Sequence, residues 1–264
     1  MRVHLAENLQ NTMFIDMLKD YPYLLFSYAS RTKNWEKIFE KVKARAVLLD
    51  SGAFSVWTKG RTIDREEYLK FAKYFKTVCK CEVNVVNLDV IPGEFGRKPT
   101  KSEIEESAQK SWDNMLFFEA NGLKVINVFH QHEDFKWLER LAEHSDYIGI
   151  SPANDVTKAQ RIVWLDKVYS RIRDTRKTHG FGATAKDIIY RYPWFSVDST
   201  SWKSPLRFGS SITTNLEKRG IGKSLGKRPT SLMKKECFDE IARWKQLNLN
   251  ATRLWETRGI SWGE

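Results

Sequence analysis

Ala46-Val47-Leu48-Leu49-Asp50-Ser51-Gly52 is an apolar run that stops on an aspartate and a glycine turn. Four apolar residues in a row, without the alternation of a half-exposed strand, suit a strand covered on both faces. The pattern recurs as Val83-Asn84-Val85-Val86-Asn87-Leu88-Asp89 and as Phe195-Ser196-Val197-Asp198-Ser199. An unpaired carboxylate costs several kcal/mol to bury, so it ends a strand only where a site or solvent accepts it. Three such ends in one chain predict a single mouth where strands converge, and with it an enzyme.

Similar runs lie on either side of these three. Strands are predicted over residues 2–6, 24–29, 46–51, 83–90, 124–130, 147–151, 178–183 and 195–200. Between them lie amphipathic stretches at 11–21, 34–44, 64–79, 101–120, 133–144, 158–176 and 185–192. Asp64-Arg65-Glu66-Glu67 puts acids into a first helical turn, and Asn121-Gly122 supplies a C-terminal stop. Strands and helices in strict alternation predict an α/β fold, a (β/α)₈ TIM-like barrel over residues 1–202, with an open doubly wound sheet as the alternative. Residues 203–264 read as a basic loop followed by a helix over 234–247 that packs on the barrel.

The 264 residues suit one barrel, and 41% apolar with 13% aromatic content is enough for a packed core. The net charge of +11 suits a polyanion such as nucleic acid, an anionic membrane surface, or simply a solvated basic surface. No apolar run is long enough to span a membrane, and the first residues lack a signal peptide's apolar segment, so a cytoplasmic location is expected. Cys79, Cys81 and Cys237 are too few for a disulfide framework. Cys79-Lys80-Cys81 offers at most two zinc ligands and reads more simply as reduced structural thiols; no metal and no cofactor are expected.

In a barrel the active site lies at the C-terminal ends of the strands. Asp50, Asp89 and Asp198 end the third, fourth and eighth predicted strands, and His130-Gln131-His132 ends the fifth. Paired carboxylates there suit displacement at an anomeric carbon, one attacking while another manages the proton. Asp89 also suits a cap on the Pro92-Gly93 turn, and His130 and His132 suit packing or phosphate contacts. Beyond the eighth strand, Lys203, Arg207, Lys218, Arg219, Lys223, Lys227 and Arg228 share a glycine-rich window with a single acid, Glu217. It reads as a mobile basic loop. Phosphate contact through Lys218, Arg219, Lys223, Lys227 and Arg228 is expected, against the plainer role of a solvated excursion.

Asp50-Ser51-Gly52-Ala53-Phe54 resembles the Asp-Ser-Gly-Gly-Phe motif of the queuine/archaeosine tRNA-guanine transglycosylases. Further segments follow in that family's order: Leu88-Asp89-Val90-Ile91-Pro92, Val128-Phe129-His130-Gln131, Tyr147-Ile148-Gly149-Ile150, 178–183 and Ser196-Val197-Asp198-Ser199. The resemblance implies a double displacement on a guanosine nucleotide. Asp198 would attack C1′ and expel guanine, and Asp50 would act as general acid/base for the incoming base. Asp89 would accept from the guanine N1–H and exocyclic amine, while Gln131 and the backbone at Gly149 would meet the O6 edge. Ser51 and Phe54 would complete the base pocket, Phe54 and Trp57 suiting either stacking or the core.

The tRNA enzymes carry a Cys-x-Cys-x-x-Cys and His zinc site after the nucleophile strand. Residues 203–232 contain neither cysteine nor histidine. The chain therefore resembles more closely the zinc-free, often phage-encoded DNA transglycosylases, which exchange guanine in DNA for a 7-deazaguanine such as preQ0. The implied partners are DNA and the free base, in the host cytoplasm for a phage protein. The same chemistry on tRNA and a retaining glycoside hydrolase are the alternatives. A neutral sugar would gain nothing from the +11 charge.

Overall fold

The computed structural model describes residues 1–7, 12–172, 176–212, 218–221 and 231–262. Each of the eight predicted segments overlaps a parallel strand: β1 (Arg2–Ala6), β2 (Tyr23–Ser27), β3 (Ala46–Asp50), β4 (Glu82–Val85), β5 (Val128–His130), β6 (Tyr147–Ser151), β7 (Lys177–Gly180) and β8 (Ser196–Ser199). They form one 8-stranded sheet in the order β4-β3-β2-β1-β8-β7-β6-β5. β1 lies beside β8, with His4 opposite Asp198, and β2 beside β3, with Ser27 opposite Asp50. The two edges meet at a parallel bridge between Val86 and Ile126. There the amide of Ile126 donates to Val85 at 2.7 Å and that of Asn87 to Ile126 at 2.9 Å. The result is a TIM-like (β/α)₈ fold. A doubly wound sheet would reverse its strand order partway; this sheet runs in sequence from both sides of β1.

Two apolar layers follow from the strand period of two. Ala6, Leu25, Leu48, Val86, Ile126 and Val128 fill the interior, with Tyr147 and Phe181 packed on them. Their neighbours Val47, Leu49 and Phe129 belong to the larger core between sheet and helices. The alternation sends Asp50, two residues beyond Leu48, and His130, two beyond Val128, to the interior side.

The helices are α1 (Thr12–Leu18), α2 (Trp35–Phe39), α3 (Ala53–Trp57), α4 (Arg65–Val78), α5 (Lys101–Ala120), α6 (Phe135–His144), α7 (Lys158–Arg171), α8 (Lys186–Ile189), α9 (Ser204–Phe208) and α10 (Ser231–Thr257). Side chains begin the longer ones. Asp64 accepts from the amides of Glu66 and Glu67, and Thr100 with Glu103 and Thr157 with Gln160 form capping boxes. α10 runs well past the predicted 234–247, because Leu247, Ala251 and Trp255 continue its buried stripe at helical spacing. It packs against β1, α1 and α9, within the barrel's outer layer.

Part of the predicted basic loop is structured. β9 (Ser210–Ile212) and β10 (Lys218–Gly220) pair antiparallel, Arg219 opposite Ser211. Ser211 anchors the hairpin to α10, donating to Glu240 at 3.0 Å and accepting from Arg243 at 2.7 Å. Lys203, the first cation of the window, is buried in a 2.5 Å ion pair with Glu7. Lys223, Lys227 and Arg228 lie outside the described residues.

Candidate active site

Asp50 ends β3 on the interior side. Its Oδ2 accepts from the amide of Gly52 at 3.0 Å. That turn requires glycine: φ is +78°, and a Cβ would stand 2.5 Å from Oγ of Ser27 and 2.6 Å from Cβ of Ala29. Burial, then the charges of Asp89 and Asp198, raise the Asp50 carboxyl to about 7, against a smaller downward pull from the Gly52 amide. The three predicted aspartates are therefore close enough to sense one another. Tyr68, reaching in from α4, fastens the strand ends beneath them, its hydroxyl donating to Val86 at 2.7 Å with the Leu49 carbonyl 3.3 Å away.

Asp198 is held by one hydrogen bond and faced by a histidine. The amide of Gly182 donates to its Oδ1 at 2.9 Å, and Nε2 of the buried His179 stands 3.5 Å from the same oxygen. On its other side, His179 Nδ1 lies 2.6 Å from Oγ of Ser196, which lies 2.6 Å from the Tyr147 hydroxyl. The three side chains form one row of short contacts, and the ring's far nitrogen, Nε2, is buried facing Asp198 without a hydrogen-bond partner. His4, alongside, donates through Nδ1 to the Leu24 carbonyl at 3.0 Å. Burial and the neighbouring His179 lower it to about 3, so it adds no charge.

Asp89 does not end the fourth strand as expected: β4 stops at Val85, and Asp89 lies four residues beyond it, where the chain meets the end of β5. Nε2 of His130 lies 3.3 Å from its Oδ2, off the hydrogen-bond line, while its Oδ1 is buried without a hydrogen-bond partner. Glu133 completes this group, its Oε2 accepting from the His130 amide at 3.1 Å. Burial opposes charge on His130, yet Asp89 and Glu133 outweigh it and hold the imidazole up to about 9. Burial also raises Glu133 to about 7, with His130 pulling it down. Glu133 was not expected from sequence; the visible signal was its spacing three residues beyond a strand-end histidine.

The other predicted residues have different surroundings. Gln131 points away from the aspartates, as alternation demands once His130 faces inward. Its Oε1 accepts from the Ala153 amide at 2.9 Å, and it lines a groove of about 470 Å³ with Phe135, Gln160 and Trp164 between α6 and α7. Gly149 faces the interior, but its amide is committed to the Asn127 carbonyl at 2.8 Å. A Cβ there would stand 2.8 Å from the Phe181 ring, so the glycine makes room for that ring. Ser51 is a buried turn residue whose Oγ accepts from the Ala53 amide at 3.3 Å. His132 is exposed and 3.4 Å from Asp155. Phe54 opens α3 on the rim with 55% of its surface exposed.

Among the described residues no group of three or more His, Cys, Asp or Glu is arranged to hold a metal ion. Cys79 and Cys81 precede β4, at the opposite end of the barrel, and share a hydrogen bond that raises the first thiol and lowers the second. Among the described residues no helix is long and apolar enough to cross a membrane. No protein-family model matches the chain, and no curated protein matches it.

Proposed function

We propose that the protein is a base-exchange transglycosylase that replaces guanine in DNA with a 7-deazaguanine through a covalent aspartyl-glycosyl intermediate. The observation that carries the proposal is the meeting of Asp50, Asp89 and Asp198 in one mouth, with Asp50 brought to about 7 by its burial and its two neighbours. A carboxyl with that pKa can give and take a proton at neutral pH. The motif order that resembles the guanine transglycosylases supports the same assignment of roles.

In the first step a carboxylate oxygen of Asp198 attacks C1′ of the target nucleotide. The glycosidic bond breaks, guanine leaves with the bonding pair and takes up a proton from Asp50. The Gly182 amide holds the attacking carboxylate, and the His179 ring faces it. In the second step the N9 equivalent of the incoming base attacks C1′, the ester bond breaks, and the N9 proton passes to Asp50. Asp89 recognises the N1–H and exocyclic amine of both bases, a task suited to a carboxylate already set against His130. Bonds and protons balance across the two steps, and neither oxidant nor metal is consumed.

The absence of cysteine and histidine from residues 203–232 favours DNA over the tRNA substrate of the zinc-bearing enzymes. The test is to incubate the protein with duplex DNA, single-stranded DNA and tRNA in the presence of radiolabelled guanine. Label in either DNA supports the proposal. Label in tRNA alone transfers the chemistry to RNA, and label in no polymer overturns it.

A further inference from the structure

The rim beside Asp50 and Asp89 carries aromatic side chains that the chemistry above does not use. Phe54 and Trp57 lie on α3, which starts directly after the Asp50 turn; Phe95 lies on the loop that follows Asp89. Trp57 stands between the other two. Its ring centroid is 5.7 Å from that of Phe54 and 5.5 Å from that of Phe95, the latter edge to face at 89°. Its Nε1 donates to the Gly93 carbonyl at 2.8 Å and so ties α3 to the loop. The outer rings remain largely in solvent, Phe54 at 55% and Phe95 at 65% exposure.

Exposed phenylalanines gain nothing for folding, and here two stand on one fixed ledge. The same two segments carry exposed Lys59, Arg61 and Lys98, with Glu94 as the acid beside Phe95. Cations interleaved with aromatic faces match a strand of nucleotides, phosphates on the former and unstacked bases on the latter. A duplex offers its base faces only at an opened step. A target base must also leave the stack to reach a barrel mouth, which frees the faces of its neighbours.

We infer that Phe54, Trp57 and Phe95 form a stacking platform for the unpaired bases next to the target nucleotide, and that the enzyme engages single-stranded or locally opened nucleic acid. This rests on the nucleic-acid part of the proposed function but not on base exchange. Trp57 pins the ledge in advance, so little ordering is needed when a base lands on it.

The experiment measures equilibrium binding of a fluorescent single-stranded DNA 12-mer, its duplex and a single-stranded RNA of the same sequence, without free base. Wild type is compared with Phe95→Ala, the Phe54→Ala/Phe95→Ala pair and Phe95→Trp; Trp57 is left in place. Each lost ring is expected to weaken single-strand binding roughly 5- to 150-fold. The slope of log affinity against log salt should stay unchanged, since no phosphate contact is removed. Phe95→Trp should bind at least as well as wild type. The rings are exposed, so an unaltered melting temperature is expected to certify the fold. Single-strand affinity that survives the double substitution overturns the inference, as does an equal loss on closed duplex. Loss on the single strand, of DNA or of RNA, with the closed duplex little affected supports it. Failure of guanine exchange would remove the proposed reaction and leave these binding results standing.

Discussion

Nε2 of His179 stands 3.5 Å from Oδ1 of Asp198, at the end of a buried row that begins at the Tyr147 hydroxyl and passes through Ser196. Neither histidine nitrogen has another polar partner among the described residues, so the ring is fixed in one orientation by Ser196 on one side and faces the carboxylate on the other. Such an arrangement sets a fixed imidazole edge against the Asp198 carboxylate.

His179→Ala should therefore leave Asp198 on the Gly182 amide alone. A misplacement of about 1 Å can cost on the order of 100-fold in rate. The expected outcome is a fall in kcat of roughly 10- to 100-fold with KM for the polymer little changed. Tyr147→Phe should show a smaller fall in the same direction. Steady-state base exchange checks both, and a change confined to KM would contradict the positioning role.

Asp198→Asn should abolish exchange while nucleic-acid binding persists. The amide is nearly isosteric and still accepts from Gly182, but it cannot form the glycosyl ester. A loss of roughly 10⁴-fold or more is expected for removal of a nucleophile. Trapping of a protein–DNA adduct on denaturing gels should disappear with it.

Asp50→Asn separates chemistry from stability. A carboxyl raised from 3.8 to about 7 in the fold favours folding in its protonated form, so its penalty develops as pH rises from about 4 and is complete above 7. The variant should be more stable than wild type at pH 8, by roughly 1–4 kcal/mol, and similar at pH 4. Its exchange rate should be low and should lose the inflection near pH 7. Denaturant melts at the two pH values and a pH–rate profile provide the check.

His130 carries the opposite sign. Its folded value of about 9 lies above the ordinary 6.5, so its charge contributes stability in full below about 6.5 and loses it as pH rises through 9. His130→Gln should destabilise the protein at pH 6 by up to about 3 kcal/mol and much less at pH 10. Asp89→Asn should bring the imidazole down toward its ordinary value, as read by NMR titration.

Neutralising Lys218, Arg219, Lys223, Lys227 and Arg228 together should weaken polymer binding and flatten its salt dependence. Each phosphate contact removed lowers the log–log slope by roughly 0.7–0.9. Exchange at saturating polymer should survive. An unaltered slope would move the phosphate-binding face elsewhere on the chain.

Most strands were legible because burial on both faces makes them largely apolar, as in Ala46–Asp50; Arg2–Ala6 and Lys177–Gly180 carry polar residues and were marked chiefly by their place in the alternation. α3 was not legible. Its Ala53-Phe54-Ser55-Val56-Trp57 is too short to display a helical period, and it starts from a left-handed glycine that composition alone would place in a loop. The direction of each strand-end side chain follows from alternation, which fixes His130 inward and Gln131 outward; treating the two as one segment hid that difference. The role of Gly149 depends on Phe181, a residue on the next strand's exit, and such a contact is set by packing across the barrel. Glu133 and the Tyr147–Ser196–His179 row were invisible for the same reason, their partners being far apart in sequence.

The barrel is a hoop with a narrow clasp. Seven strand pairs share ladders, while β4 and β5 touch through the Val86–Ile126 bridge. Just beyond the clasp, Asp89, on the segment that follows β4, faces His130 at the end of β5. A molecule that grips Asp89 and leans on His130 thus grips both sides of the joint. Occupancy at the mouth and fastening of the hoop become one event, and the amide hydrogens of Asn87 and Ile126 are where slowed exchange with solvent would register it.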